Sequence, residues 1–239
     1  MSIRKYTFAL TLAGVLATLG QNTAHALPLC TGSLSSLISG GPCTDPTSTE
    51  VLTFIATTGS NRSTTDANIN VSVTNTAGVL DVQFLPNAAS GFDLTSPAGL
   101  TGHYNFHYTV TSPGLVMINA QLNIFNPFVT PPGGGAVSGF KEIDNTYEAD
   151  TPTDSGNTNF TTLSNSVALP NLPSPVTVED DITIQSFAVG TTSSVGNGAA
   201  HPGGVENLLS LTTVPEPVSS ALCGLALLAF GMSRRRLKK

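Results

Sequence analysis

Between residues 68 and 125 apolar and polar side chains alternate with a period of two, and this constrains the fold more than any other feature of the chain. Residues 68–74 put Ile69, Val71 and Val73 on one face, and residues 79–85 do the same with Leu80, Val82 and Phe84. Asn75-Thr76-Ala77-Gly78 between them is turn chemistry, so the pair reads as a hairpin. Residues 103–110 align Tyr104, Phe106, Tyr108 and Val110. After Thr111-Ser112-Pro113-Gly114, residues 115–125 align Val116, Ile118, Ala120, Leu122 and Ile124. Strand side chains point alternately to opposite faces, so this pattern half-buries a strand and would scatter around a helix. Further strands are expected at 51–56, 176–179, 181–189 and 208–212, with Glu179-Asp180-Asp181 marking a strand end or turn. Residues 126–175, rich in Gly, Pro, Asn and Thr, read as long loops with one or two weak strands. The expected fold is all-β: about eight antiparallel strands without helical spacers, in a β-sandwich or jelly-roll-like domain.

Two apolar segments flank this body. Near the front, Arg4 and Lys5 precede an apolar run at 8–19, and Ala24 and Ala26 supply the small residues that signal peptidase requires. Residues 1–26 therefore read as a signal peptide cut before Leu27, handled by signal peptidase and the secretion machinery. Near the back, Val214-Pro215-Glu216-Pro217 precede an apolar run at 218–232, followed by a basic end at 233–239. At ~1.5 Å per residue the apolar helix would reach roughly 22 Å, short of the ~30 Å hydrocarbon core. Arg234, Arg235, Arg236, Lys238 and Lys239 would hold its end in the cytoplasm as a membrane stop. Such a short helix suits temporary anchoring in the inner membrane. The expected organisation is a signal peptide at 1–26, an exported β-rich domain at 27–213 and a tail at 214–239 with a membrane helix.

The tail's motif, apolar helix and Arg-rich end together resemble the PEP-CTERM sorting signal. In that class the tail is recognised by exosortase, a membrane-embedded cysteine peptidase of Gram-negative bacteria that make exopolysaccharide. The resemblance implies that Pro215, Glu216 and Pro217 are the sorting motif and that the mature protein is released to the cell surface or outside the cell. It also implies an association with exopolysaccharide or biofilm. The local chemistry agrees, because Pro215 and Pro217 fix φ and lack an N–H, keeping the motif extended as a protease cleft needs. The body is similar to a recurring group of secreted PEP-CTERM proteins. That similarity rests on Cys30, Gly32-Ser33-Leu34, Gly40-Gly41 and Cys43, on Tyr108-Thr109-Val110-Thr111, and on Val176, Val178, Asp181 and Ile182.

Charge narrows the function. Of nine cations in the chain, seven lie in the two end segments. Arg62 and Lys141 face fourteen acids in residues 27–213, a net charge of −12. Such a surface repels phosphate backbones and excludes a nucleic-acid partner. Export places Cys30 and Cys43 in an oxidising compartment, where a disulfide closing the Gly/Ser-rich loop between them is expected.

Candidate sites are few. His103 and His107 share a strand face but would lie about 13 Å apart, too far to chelate one zinc ion. Asp144, Asp150 and Asp154, beside Glu142, Glu148, Gly156 and Asn157, carry oxygen ligands of the kind calcium takes, at spacings that match neither an EF-hand nor a Gly-rich nonapeptide repeat. No Gly-x-Ser-x-Gly elbow or phosphate-binding loop is present, and tryptophan, the usual sugar-stacking platform, is absent. The expectation is a non-enzymatic exported protein without a cofactor; the alternative is a secreted carbohydrate- or calcium-binding module delivered the same way.

Overall fold

A computed structural model describes residues 27–45, 49–62, 64–87, 94–95, 99–129, 135–155, 162–187, 193–195 and 203–213. The expected signal peptide, with Ala24 and Ala26 at its expected cleavage site, and the whole tail from 214 onward lie outside the described residues. In chain order the chain forms β1 (Thr31–Ser33), α1 (Leu34–Gly40), β2 (Cys43–Thr44), β3 (Val51–Thr58), β4 (Ile69–Thr76), β5 (Val79–Pro86) and β6 (Leu94–Thr95). Then follow β7 (Thr101–Thr111), β8 (Leu115–Phe125), β9 (Pro127–Val129), β10 (Gly135–Ile143), β11 (Tyr147–Asp150) and β12 (Asp154–Ser155). The last four are β13 (Thr162–Pro173), β14 (Val176–Ser186), β15 (Ser193–Val195) and β16 (Gly204–Thr213).

These strands make an antiparallel β-sandwich. One sheet of six strands runs β1-β4-β5-β16-β8-β13. A seven-stranded sheet runs β11-β10-β14-β7-β3-β2, with β12 pairing β10. A small sheet, β6-β15-β9, stands beside them. The alternating segments found in the sequence become β4, β5, β7 and β8, and their aligned apolar residues are buried with one exception. Phe84 from the six-stranded sheet stacks on Phe106 from the other at 4.5 Å between ring centroids, and Phe54 and Tyr108 complete the cluster. Each such ring contributes on the order of 1.5–3 kcal/mol by leaving water.

Four details depart from the sequence reading. Residues 126–175 are not mainly loop: they hold β9 to β13, two of them long. The core-facing residues of β10 are Gly135, Val137, Gly139, Lys141 and Ile143, so its apolar alternation is interrupted. Gly139 leaves room there for the facing sheet, since a Cβ would sit 2.8 Å from Ile124 Cδ1 and 2.9 Å from Leu122 Cδ2, and those methyls would have to shift. Secondly, Glu179-Asp180-Asp181 is no strand end; it is the middle of the unbroken β14, with Asp180 turned into the core.

Thirdly, Ile118 is 36% exposed and Met117 buried, because the β8–β16 register shifts there and the bulge turns Ile118 outward. Lastly, the loop between Cys30 and Cys43 contains the short helix α1. Ser33 caps it by accepting from the Ser36 N–H at 3.3 Å, and Leu34 and Leu37 are buried. The Cys30–Cys43 disulfide is formed, with 5.0 Å between the Cα atoms.

Candidate functional site

The outer face of the six-stranded sheet carries a continuous row of polar side chains. Antiparallel register places Ser72 of β4 beside Gln83 of β5, Gln83 beside Glu206 of β16, Glu206 beside Asn123 of β8, and Asn123 beside Ser164 of β13. At ~4.8 Å between strands the five positions span about 19 Å. The adjacent row reads Thr74, Asp81, Leu208, Gln121 and Ser166, so one leucine sits among polar groups.

Hydrogen bonds tie the two rows together. The Gln83 amide donates to Asp81 Oδ2 at 2.9 Å and to Glu206 Oε1 at 3.0 Å. The Asn123 amide donates to the other Glu206 oxygen at 2.7 Å. The Gln121 amide donates to Asn123 Oδ1 at 2.8 Å and to Ser164 Oγ at 3.0 Å. Planar amides and carboxylates are thus held in fixed orientation across four strands. Asp81 pays electrostatically for its place: burial, then the nearby Glu206 charge, raises its pKa from 3.8 to about 6 against the opposing Gln83 hydrogen bond.

The outer face of the seven-stranded sheet is ordered differently. Its register lines up Glu148, Glu142, Glu179, His107 and Ile55 on β11, β10, β14, β7 and β3. The neighbouring row holds Asp150, Phe140, Asp181 and Asn105. Asn105 donates to Glu179, and His103 Nδ1 lies 3.4 Å from Asp181 and 3.3 Å from Thr183. The strand placement of His103 and His107 agrees with the separation inferred above.

Both body cations are held by the chain's own carboxylates. Arg62 reaches Asp66 at 3.5 Å and the Thr57 hydroxyl. Lys141 is wholly buried between the sheets, where its ammonium meets Asp180 Oδ1 at 2.6 Å and the carboxamide oxygen of Asn207. Burial pulls the Lys141 pKa down and pushes the Asp180 pKa up, against the attraction between them. Nearby, burial and the Asp180 and Asp81 charges hold the Tyr108 hydroxyl well above its ordinary value.

The three calcium candidates lie on different elements. Asp144 is in the β10–β11 turn with φ +50 and accepts from the Thr177 N–H at 2.7 Å. Asp150 is exposed on β11, and Asp154 is buried on β12. Among the described residues no group of three His, Cys, Asp or Glu side chains is placed to hold a metal ion. Pro215, Glu216 and Pro217, expected as the sorting motif, and Arg234, Arg235, Arg236, Lys238 and Lys239, expected as the membrane stop, lie outside the described residues. No helix among the described residues is long and apolar enough to cross a membrane.

The polar rows were missed by sequence reasoning, although Asp81, Gln83, Gln121 and Asn123 are the outward partners of residues it aligned. Glu206 and Asn207 precede the expected strand at 208–212, whereas β16 begins at Gly204.

No known family's sequence profile matches the chain. No curated protein matches it either. Among solved structures it is similar to TmCBM27, a carbohydrate-binding module described for specific mannan recognition: TM-score 0.36, 8% identity, covering 68% of this chain and 89% of that one. TmCBM61, solved with β-1,4-galactotriose, gives a TM-score of 0.26 and 8% identity over 66% of this chain and 87% of the other. A family 29 carbohydrate-binding module gives 0.21 and 13% over 69% and 98%.

Proposed function

We propose that this is an exported, non-enzymatic protein of the cell surface or extracellular matrix, and that the outer face of its six-stranded sheet binds an uncharged polysaccharide. The observation that carries the binding reading is the hydrogen-bonded array of Asp81, Gln83, Glu206, Asn123, Gln121 and Ser164. Sugar hydroxyls both donate and accept, so a surface offering amide N–H groups, amide oxygens and carboxylates in fixed positions suits them. Leu208 supplies an apolar spot for a ring face, and the row is long enough for several sugar units. An uncharged glycan is favoured because the body carries many acids and because Arg62 and Lys141 already have carboxylate partners. Delivery would follow the signal peptide and the Pro215-Glu216-Pro217 tail, with exosortase as the processing partner; the support for this is the sequence of the two ends.

Binding is tested by retention of the mature domain on arrayed neutral and acidic polysaccharides. Retention on one or more neutral glycans is expected, reduced at least about tenfold by Gln83→Ala, a loss of roughly 1.4 kcal/mol. No retention, or retention indifferent to Gln83→Ala, would overturn it. Delivery is tested by replacing Pro215-Glu216-Pro217 with alanines in an exosortase-bearing host and measuring the mature C-terminus by mass spectrometry. An unchanged C-terminus would sink the sorting reading.

A further inference from the structure

We propose that Lys141 and Asn207 become joined by an intramolecular amide bond that ties the two sheets of the sandwich together, with Asp180 carrying the proton. The three side chains converge from three strands: Lys141 from β10, Asp180 from its direct cross-strand partner β14, and Asn207 from β16 of the facing sheet. All three are completely buried. The Lys141 nitrogen touches Asn207 Oδ1, and the carboxamide carbon lies one C=O bond, about 1.23 Å, beyond that oxygen. Asp180 Oδ1 is 2.6 Å from the same nitrogen. The Asn207 amide nitrogen and Asp180 Oδ2 make no well-formed hydrogen bond with any described residue, although Asn207 lies close enough to Asp180 to help hold its charge.

The surroundings favour reaction over a static ion pair. A lysine amine attacks only when neutral, and a carboxyl shuttles a proton only when it can both hold and release one. Taking an ammonium and a carboxylate out of water favours the neutral pair, and both groups move that way here. The amine lone pair adds to Asn207 Cγ while Asp180 protonates the carbonyl oxygen. The Cγ–Nδ2 bond then breaks as a proton taken from Nζ passes through Asp180 to Nδ2, and the hydroxyl proton returns to Asp180 as the C=O bond re-forms. The products are a secondary amide and one ammonia; Asp180 ends as it began, and nothing is oxidised or reduced. Holding the groups in contact in a dry core supplies the proximity this step needs.

The test uses the wild-type full chain, so it does not depend on a variant folding. Within residues 27–213 trypsin has only Arg62 and Lys141 to cut after. After reduction and denaturation, the expected result is no cleavage after Lys141, a mass one ammonia below that of the sequence, and a second protease placing the join between Lys141 and Asn207. Asp180→Ala, which keeps both partners, should restore cleavage after Lys141 and the full mass. Cleavage after Lys141 in the wild type with the full mass overturns the proposal. A join from Lys141 to Asp180 with loss of water instead of ammonia also overturns it.

Discussion

On the outer face of the six-stranded sheet Glu206 sits between Gln83 and Asn123, whereas on the seven-stranded sheet Glu142 sits between Glu148 and Glu179. The residue type is the same and the strand spacing is the same, but the neighbours differ. In the first case each carboxylate oxygen accepts an amide N–H, so the charge is used to orient two side chains. In the second the carboxylates stand opposite like charges, which destabilises a sheet. A glutamate therefore means different things on the two faces: one face is pre-arranged for hydrogen bonding, the other tolerates its charge because water screens it.

The same Glu→Gln change should accordingly have opposite signs at Glu206 and at Glu142. Glu206→Gln turns an amide N–H₂ toward a neighbouring donor and strands part of the buried Asn123. A loss of about 1–3 kcal/mol is expected in denaturant unfolding, the largest effect of the set. Asp81→Asn comes next. The folded pKa of Asp81, about 6, lies above its unfolded 3.8, so the folded state holds the proton more tightly and stability falls as pH rises between those values. Asp81→Asn should remove that fall and gain stability above pH 6, by at most about 1 kcal/mol because the half-exposed carboxylate is partly screened.

Glu142→Gln should stabilise by about 0.2–1 kcal/mol through relief of its two glutamate neighbours. The smallest effect separates the mechanisms. At ~1 M salt, where the Debye length is only ~3 Å, the gain from Glu142→Gln should nearly vanish while the Glu206→Gln loss persists. A Glu206→Gln variant as stable as the wild type would erase the distinction between the faces.

How much of this was readable in the sequence depended on what each strand turned inward. Over residues 69–73, 80–84 and 104–110, β4, β5 and β7 put Ile, Val, Leu, Phe or Tyr at every second position, and their faces were legible. β10 turned Gly135, Gly139 and Lys141 inward, and β14 turned Asp180 inward, so their alternation read as interruption. An inward lysine looks like a break until its aspartate, 39 positions away, is known to lie opposite. The bulge at Ile118 is equally invisible, because register belongs to a pair of strands. The polar row joins Gln83 to Glu206 across 123 positions, so only pairing could assemble it.

The place of β16 has a consequence for how the molecule is held together. It is the last described strand of the chain, yet it lies inside the six-stranded sheet, bonded to β5 on one side and β8 on the other. Without β16, the strands β1-β4-β5 and β8-β13 would be two half-sheets with open inner edges. It carries both Glu206, which knits the outer row, and Asn207, which meets Lys141 inside. Closure of the sheet, completion of the polar surface and docking of the buried lysine thus all depend on the placing of a single strand.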